Sequence, residues 1–229
     1  MTDAEPPPIG FPVTDWRAAR PPDDTPIVGT HCRLERLGAA HADDLFDAYA
    51  EDRDDRVWVY LPYGPFPSRE TFRDWIAARA AERDPHFVAI VESGSERALG
   101  VASYLRIDAA HGVVEVGHVN FAPALQRGVV ATEAMFLMMR EAFARGYRRY
   151  EWKCDALNTR SRRAAERLGF VHEGVFRQAT IYKGRNRDTA WYAVIDRDWP
   201  RLERAFERWL APENFDAAGR QRRSLESLR

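Results

Sequence analysis

The 229-residue chain is 45% hydrophobic, 12% aromatic and 30% charged, which suits one buried core and excludes a wholly disordered polymer. Its 34 Lys and Arg against 35 Asp and Glu give a formal charge of −1, so no overall field draws it to nucleic acid or to an anionic membrane. The opening MTDAEPPPIG has no basic, apolar leader, and no apolar run reaches the ~18 residues of a membrane span, so a cytoplasmic protein is expected.

Residues 1–29 are proline-rich with few periodic apolar positions, and read as an irregular arm lying across the body with Trp16 as anchor. A strand is predicted near 31–37, then a helix over 39–50 that turns Leu45, Phe46 and Tyr49 inward. Pro62, Pro65 and Pro67 break the aromatic run 57–66 into a loop. Ser68 opens a second helix to about Arg83, its stripe passing through Phe72, Trp75, Ile76 and Ala80. Strands over 86–92, 98–107 and 113–121 follow as an antiparallel meander. After Pro123 the period becomes 3.6, with Ala131, Met135, Met138, Met139, Ala142 and Phe143 on one face as far as Gly146. A strand over 149–154, a helix over 158–168 closed by Gly169, and strands over 170–182 and 189–195 complete a domain of residues 30–200. Residues 201–229 read as a C-terminal helix to about Trp209 followed by a polar, mobile tail. Cys32 and Cys154 have neither disulfide-framework nor metal-ligand spacing, and no metal is expected.

Two strand-to-helix junctions carry the chemistry. The first reads Gln126-Arg127-Gly128-Val129-Val130-Ala131-Thr132-Glu133-Ala134. Helix-start N–H groups lack intrahelical acceptors and sit at the positive end of the helix dipole, so they seat a phosphate, and small residues let it approach. The second reads Asn158-Thr159-Arg160-Ser161, leading to Ala164-Ala165-Glu166-Arg167-Leu168-Gly169-Phe170. Asn158 and Ser161 are also ordinary helix-cap residues.

In this strand order, the two junctions resemble the GCN5-related N-acetyltransferase superfamily, in its ribosomal-protein N-terminal acetyltransferase-like branch. The resemblance covers residues 30–200. It implies a mixed α/β (α+β) fold with a central, mainly antiparallel sheet of about seven strands, splayed at the cofactor site and flanked by helices. It implies acetyl-coenzyme A as cosubstrate, with its pyrophosphate on Gln126, Arg127, Gly128, Val129, Val130, Ala131 and Thr132. Asn158 and Ser161 are assigned to the pantetheine arm. Ser161 also becomes the hydroxyl donor to the leaving thiolate, because Ala165 stands where many members carry a tyrosine. Val129 replaces the first glycine of the family's loop and keeps its N–H in place if its φ stays negative.

An attacking amine must lose a proton. Glu115, on the strand leading into the loop where the family often holds its base, is the first candidate, and His118 the second. Alternation puts Glu115 and Gly117 on one face and His118 and Asn120 on the other, so only a bulge brings both candidates to one site. Cys154 reads as a small buried hydrophobe rather than an acyl carrier. Acceptor recognition is expected from Trp58 and Tyr60 in the aromatic loop and from Tyr182 and Trp191 in the terminal hairpin, with Lys183 and Arg185 nearby. The resulting reading is acetyl transfer to a primary amine of a small molecule or protein N-terminus, without nucleic-acid or membrane partners. A non-catalytic acyl-coenzyme A sensor or scaffold is the alternative, and homodimerisation is left open.

Overall fold

A computed structural model describes residues 9–229, so the first eight positions of the expected arm lie outside the described residues. Strands β1 (Ile27–Val28), β2 (Cys32–Arg36), β3 (His86–Glu92), β4 (Ala98–Asp108), β5 (Val113–Phe121), β6 (Arg149–Asp155), β7 (Val171–Tyr182) and β8 (Arg185–Ile195) form one sheet. Its order is β1-β2-β3-β4-β5-β6-β8-β7. Every neighbouring pair is antiparallel except β5 and β6. Helices α1 (Ala42–Tyr49) and α2 (Arg69–Ala81) cover one face, and α3 (Val129–Ala144), α4 (Thr159–Leu168) and α5 (Trp199–Leu210) the other. The two faces are told apart by alternation on neighbouring residues. Phe87, paired with Ser103, meets Trp75 of α2, whereas Tyr104 donates its hydroxyl to the Met138 carbonyl of α3. No helix of the described residues is long and apolar enough to cross a membrane.

Local sequence explains the helix ends. Ser68 caps α2 by accepting the Thr71 N–H, and Gly169 closes α4 at φ 97°, a conformation that favours glycine. The apolar stripe of α3 is wider than its spacing predicts, since every residue from Ala131 to Met139 is buried. The sheet takes one side of that helix. The other side receives α5, where Phe136 stacks on Trp199 and Phe206 with ring centroids 6.2 and 5.1 Å apart.

The ends of the chain differ most from expectation. Within the arm, β1 adds an eighth strand by pairing Ile27 with Leu34 and Val28 with Arg33. This turn is held by Glu133 of α3, whose carboxylate accepts the N–H groups of Thr30, His31 and Cys32 at 2.8, 2.6 and 2.9 Å. Gly29 permits the approach, because a Cβ there would fall 2.7 Å from that carboxylate. Further back, Trp16 donates its indole N–H to the Ala110 carbonyl at 2.8 Å, and Ala19 N–H reaches Ala109. The polar tail is also docked rather than mobile. Leu225 and Leu228 are buried, Trp209 donates to the Gln221 side chain at 2.7 Å, and the Arg229 guanidinium donates to the Glu166 and Arg167 carbonyls at the end of α4.

Replacing Glu133 by alanine strips three N–H groups of an ionised acceptor. Glu133→Ala is expected to lower unfolding free energy by about 3 kcal/mol, read from the denaturant midpoint at unchanged slope. A loss under about 1 kcal/mol would mean that water replaces the carboxylate.

Candidate active site

Strands β5 and β6 pair only from Val113 with Arg149 to Val116 with Trp152. Beyond that point β5 stays on β4 as far as Phe121 opposite Gly100, and β6 stays on β8 as far as Asp155 opposite Thr189. The two strands therefore part, leaving a gap lined by residues 117–121 and 153–155. Backbone N–H and C=O groups on the two rims lose each other as partners there.

A bulge in β5 shapes one rim. Ser103 pairs with Gly117 but Val101 pairs with Asn120, and His118 adopts φ 50°, a left-handed conformation that histidine tolerates better than bulkier residues. Strict alternation therefore fails. Ser103 shares the α1/α2 face with Phe87, so Glu115, Gly117, His118 and Asn120 all come to that face. The His118 ring lies 4.9 Å from Phe87 and 5.6 Å from Tyr63, and Nδ1 is 3.1 Å from the Tyr63 hydroxyl. Burial, reinforced by Arg79, Arg106 and Arg187, lowers its pKa to about 4, so the imidazole is neutral near pH 7.

Glu115 occupies a different setting. It lies in the paired segment, directly opposite Glu151. Its buried carboxylate meets Lys153 Nζ at 2.9 Å and Arg106 Nη1 at 2.5 Å. Lys153 also contacts Glu151 at 2.7 Å and stands 3.7 Å over the Trp191 ring. Trp191, stacked on Phe176 at 4.4 Å, forms the floor of this charged ladder.

The loop from β5 to α3 accommodates Val129 because Val129 is the first residue of the helix, while Arg127 carries the positive φ of 63° and Gly128 is extended at φ −85°. Gln126 donates to the Phe121 carbonyl at 2.9 Å and so ties the loop to the strand end. No side chain caps α3 at Gly128, which leaves the helix start, with Val130 and Ala131 in its first turn, open to an anion. Thr132 is buried and accepts from Arg167 of α4 at 3.1 Å. At the second junction, Asn158 accepts the Ser161 N–H at 3.1 Å and is the cap of α4. Trp152 donates its indole N–H to Ser161 Oγ at 3.0 Å. Since an indole only donates, the serine keeps its own proton for another acceptor. Cys154 is buried, which pushes its thiol pKa up and disfavours the nucleophilic thiolate.

Tyr60, Asp155, Tyr182, Lys183 and Arg185 line a cavity of about 550 Å³ between the aromatic loop and the β7–β8 turn. Tyr182 donates to Asp155 at 2.9 Å, Tyr60 to the Leu157 carbonyl at 3.3 Å, and Lys183 to the Trp58 carbonyl at 2.8 Å. Trp58 does not line this cavity with its ring. The indole is packed against Tyr49 at 4.9 Å and Phe66 at 5.4 Å, under Gly64. Asn120 escaped the sequence reading, although an amide in an apolar strand is a usable signal. Its Nδ2 is buried without a partner, as are Trp191 Nε1 and five other side-chain atoms of the described residues. Among the described residues no group of three His, Cys, Asp or Glu could hold a metal ion.

Residues 31–171 match the model of the acetyltransferase (GNAT) domain. The chain belongs to the GNAT family of acetyltransferases. A solved GCN5-related N-acetyltransferase from Brucella melitensis is 42% identical with a TM-score of 0.92, covering 94% of this chain and 99% of that one. Two more distant structures show the shared fold alone. The microcin C7 self-immunity acetyltransferase MccE, in complex with acetyl-CoA and AMP, is 20% identical (TM-score 0.65, covering 73% of this chain and 93% of that one). The Salmonella typhimurium enzyme that modifies the N-terminal serine of ribosomal protein L7/L12 is 21% identical (TM-score 0.64, covering 75% and 99%). No curated protein matches the chain.

The ladder around Glu115 predicts a separable mutant phenotype. Glu115→Gln removes a buried charge held by two cations and is expected to cost about 3 kcal/mol in a chemical denaturation curve. Loss of turnover with unchanged stability would instead give Glu115 the proton-accepting role.

Proposed function

We propose that this protein moves an acetyl group from acetyl-coenzyme A to a primary amine of a small molecule or a protein N-terminus, directly within a ternary complex. The observation that carries the reading is the gap between β5 and β6, which opens beside a helix start that no side chain caps. The rims fit an acyl-pantetheine, since they offer unladdered backbone groups and the unpartnered Asn120 Nδ2 to its amides and thioester. Acetyl-coenzyme A supplies the acetyl group and a thiol leaving group. The α3 start, over Arg127, Gly128, Val129, Val130, Ala131 and Thr132, anchors the pyrophosphate, and Gln126 keeps that loop against β5. Asn158 fixes the first turn of α4, so that Ser161, oriented by Trp152, offers its hydroxyl proton to the departing sulfur.

On the opposite side His118 takes the proton of the amine, directly or through one water, while Glu115 balances Lys153 and Arg106. In the tautomer whose Nδ1–H donates to the Tyr63 hydroxyl, the neutral imidazole keeps Nε2 to accept, whereas the Glu115 carboxylate is engaged by two cations. The raised thiol pKa of Cys154 supports direct attack over an acyl-enzyme. Positioning and polarisation of the carbonyl supply most of the acceleration. A cytoplasmic location, where acetyl-coenzyme A is available, completes the proposal.

The test is calorimetric titration with acetyl-coenzyme A, followed by thiol release across a panel of amines and peptides. Binding with amine-dependent release is expected, whereas binding without release makes the protein a sensor. His118→Phe is expected to lower kcat by about 10²-fold and Ser161→Ala by about tenfold, with cofactor affinity retained within about twofold. The pH–rate profile separates the bases further. Because His118 stays neutral until pH falls through about 4, activity should show no histidine step near pH 6.5. A step there that disappears in His118→Phe contradicts the buried, neutral imidazole.

A further inference from the structure

The acceptor face is more positive than its use for an amine requires. Several of its cations are neutralised: Lys153, whose side chain is buried, by Glu115 and Glu151, half-buried Arg149 by Glu151 and Glu173, and exposed Arg106 by Glu115. Arg187 of β8 is not. It is half-buried, and among the described residues no carboxylate lies within the 4.0 Å of a salt bridge, its neighbours being Thr189 Oγ1 at 3.2 Å and the Tyr182 ring at 5.9 Å. Its guanidinium therefore keeps hydrogen-bonding capacity for an anionic ligand.

Arg187 stands beside the acceptor cavity rather than in a remote patch. The pairing of Asp155 with Thr189 and of Lys153 with Trp191 puts Arg187, two residues before Thr189 on the same strand, on the α1/α2 face. Its ring contact Tyr182 lines the cavity together with Lys183 and Arg185. Neither of those cations has an acidic partner among the described residues. Against the three stand Asp155, the one carboxylate lining the cavity, already taken by Tyr182 and the Leu157 N–H, and Asp55, whose charge reaches Lys183. The field of Arg187 reaches both His118 and Cys154, on the two sides of the reaction centre. Such a local excess of positive charge, in a chain whose formal charge is −1, repels a simple alkylammonium and concentrates anions.

We infer that the acceptor is an amine that also carries an anionic group, a carboxylate or a phosphate, and that Arg187, with Arg185 and Lys183 at the rim, binds that group while the amine faces His118. The inference rests on the acetyl-transfer reading and narrows its substrate. A planar guanidinium pairs with either oxyanion through two parallel hydrogen bonds, which a neutral ester or amide cannot reproduce.

The experiment compares kcat/KM for matched pairs, an amino acid against its methyl ester and O-phosphoethanolamine against ethanolamine, in wild type, Arg187→Gln and Arg187→Lys. The acidic member of at least one pair is expected to be preferred by about tenfold or more, and which pair responds identifies the oxyanion. Arg187→Gln should reduce that preference below about threefold at unchanged KM for acetyl-coenzyme A, and Arg187→Lys should restore part of it. Preference for the neutral members overturns the inference. So does a rise in the acetyl-coenzyme A KM in Arg187→Gln, which would assign the cations to cofactor phosphates. If no amine is acetylated, the transfer reading fails separately. Calorimetric binding of the acids, lost in Arg187→Gln, then still upholds the oxyanion site, and its absence removes it.

Discussion

Four paired positions hold β5 to β6, and the twist that a bulge puts into β5 at Gly117 and His118 accompanies their separation. Each strand of this one parallel pair keeps its antiparallel partner on the outer side, β5 on β4 with two register shifts and β6 on β8 with none, while the inner edges come free. The gap therefore leaves the sheet continuous on both sides. The neighbouring elements are arranged around it: α3 follows β5 after the loop 122–128, α4 begins just after β6 ends, and the aromatic loop and the β7–β8 turn face each other across the cavity lined by Tyr60 and Tyr182.

The surroundings are built to keep that gap in shape. On the α1/α2 face, the rings of Trp58, Tyr63, Phe66, Phe72, Trp75 and Phe87 pack in edge-on and tilted pairs that reach His118. Below the gap, alternating charges from Arg106 through Glu115, Lys153 and Glu151 to Arg149 tie β4, β5 and β6 together. On the other face α3 is sandwiched by the sheet and α5, and Glu133 holds the β1–β2 turn against it. These are different solutions to one requirement, rigidity on both sides of an interrupted ladder.

Most of this architecture was legible because it follows from periodicity. The 3.6-residue spacing of α3, the capping signal at Ser68 and the alternating strands of the meander are local properties, and each appears within two or three residues of its expected bounds. What escaped depends on contacts distant in sequence. β1 is two residues long and has no period to detect. The docking of the tail rests on two leucines spaced among polar residues and on hydrogen bonds from Trp209 and Arg229 to other segments. The bulge could be named as the condition for bringing Glu115 and His118 to one site but not located, since a Gly-His pair is compatible with regular or irregular pairing, and register is set by the partner strand. Within the site, the loop motif announced the helix start, but the sequence could not reveal that Arg127 rather than Val129 takes the left-handed conformation. Nor could it show that Trp58 is a packing residue or that Glu115 is held by two cations, because both facts arise from other segments.

The most direct test of the gap as the thioester seat is backbone hydrogen exchange with and without acetyl-coenzyme A. The account predicts increased protection in residues 117–121 and 127–131, where strand rim and helix start receive the ligand, with the β1–β2 turn unchanged. Binding that leaves those two segments unprotected, or protects only the β7–β8 turn, would contradict it.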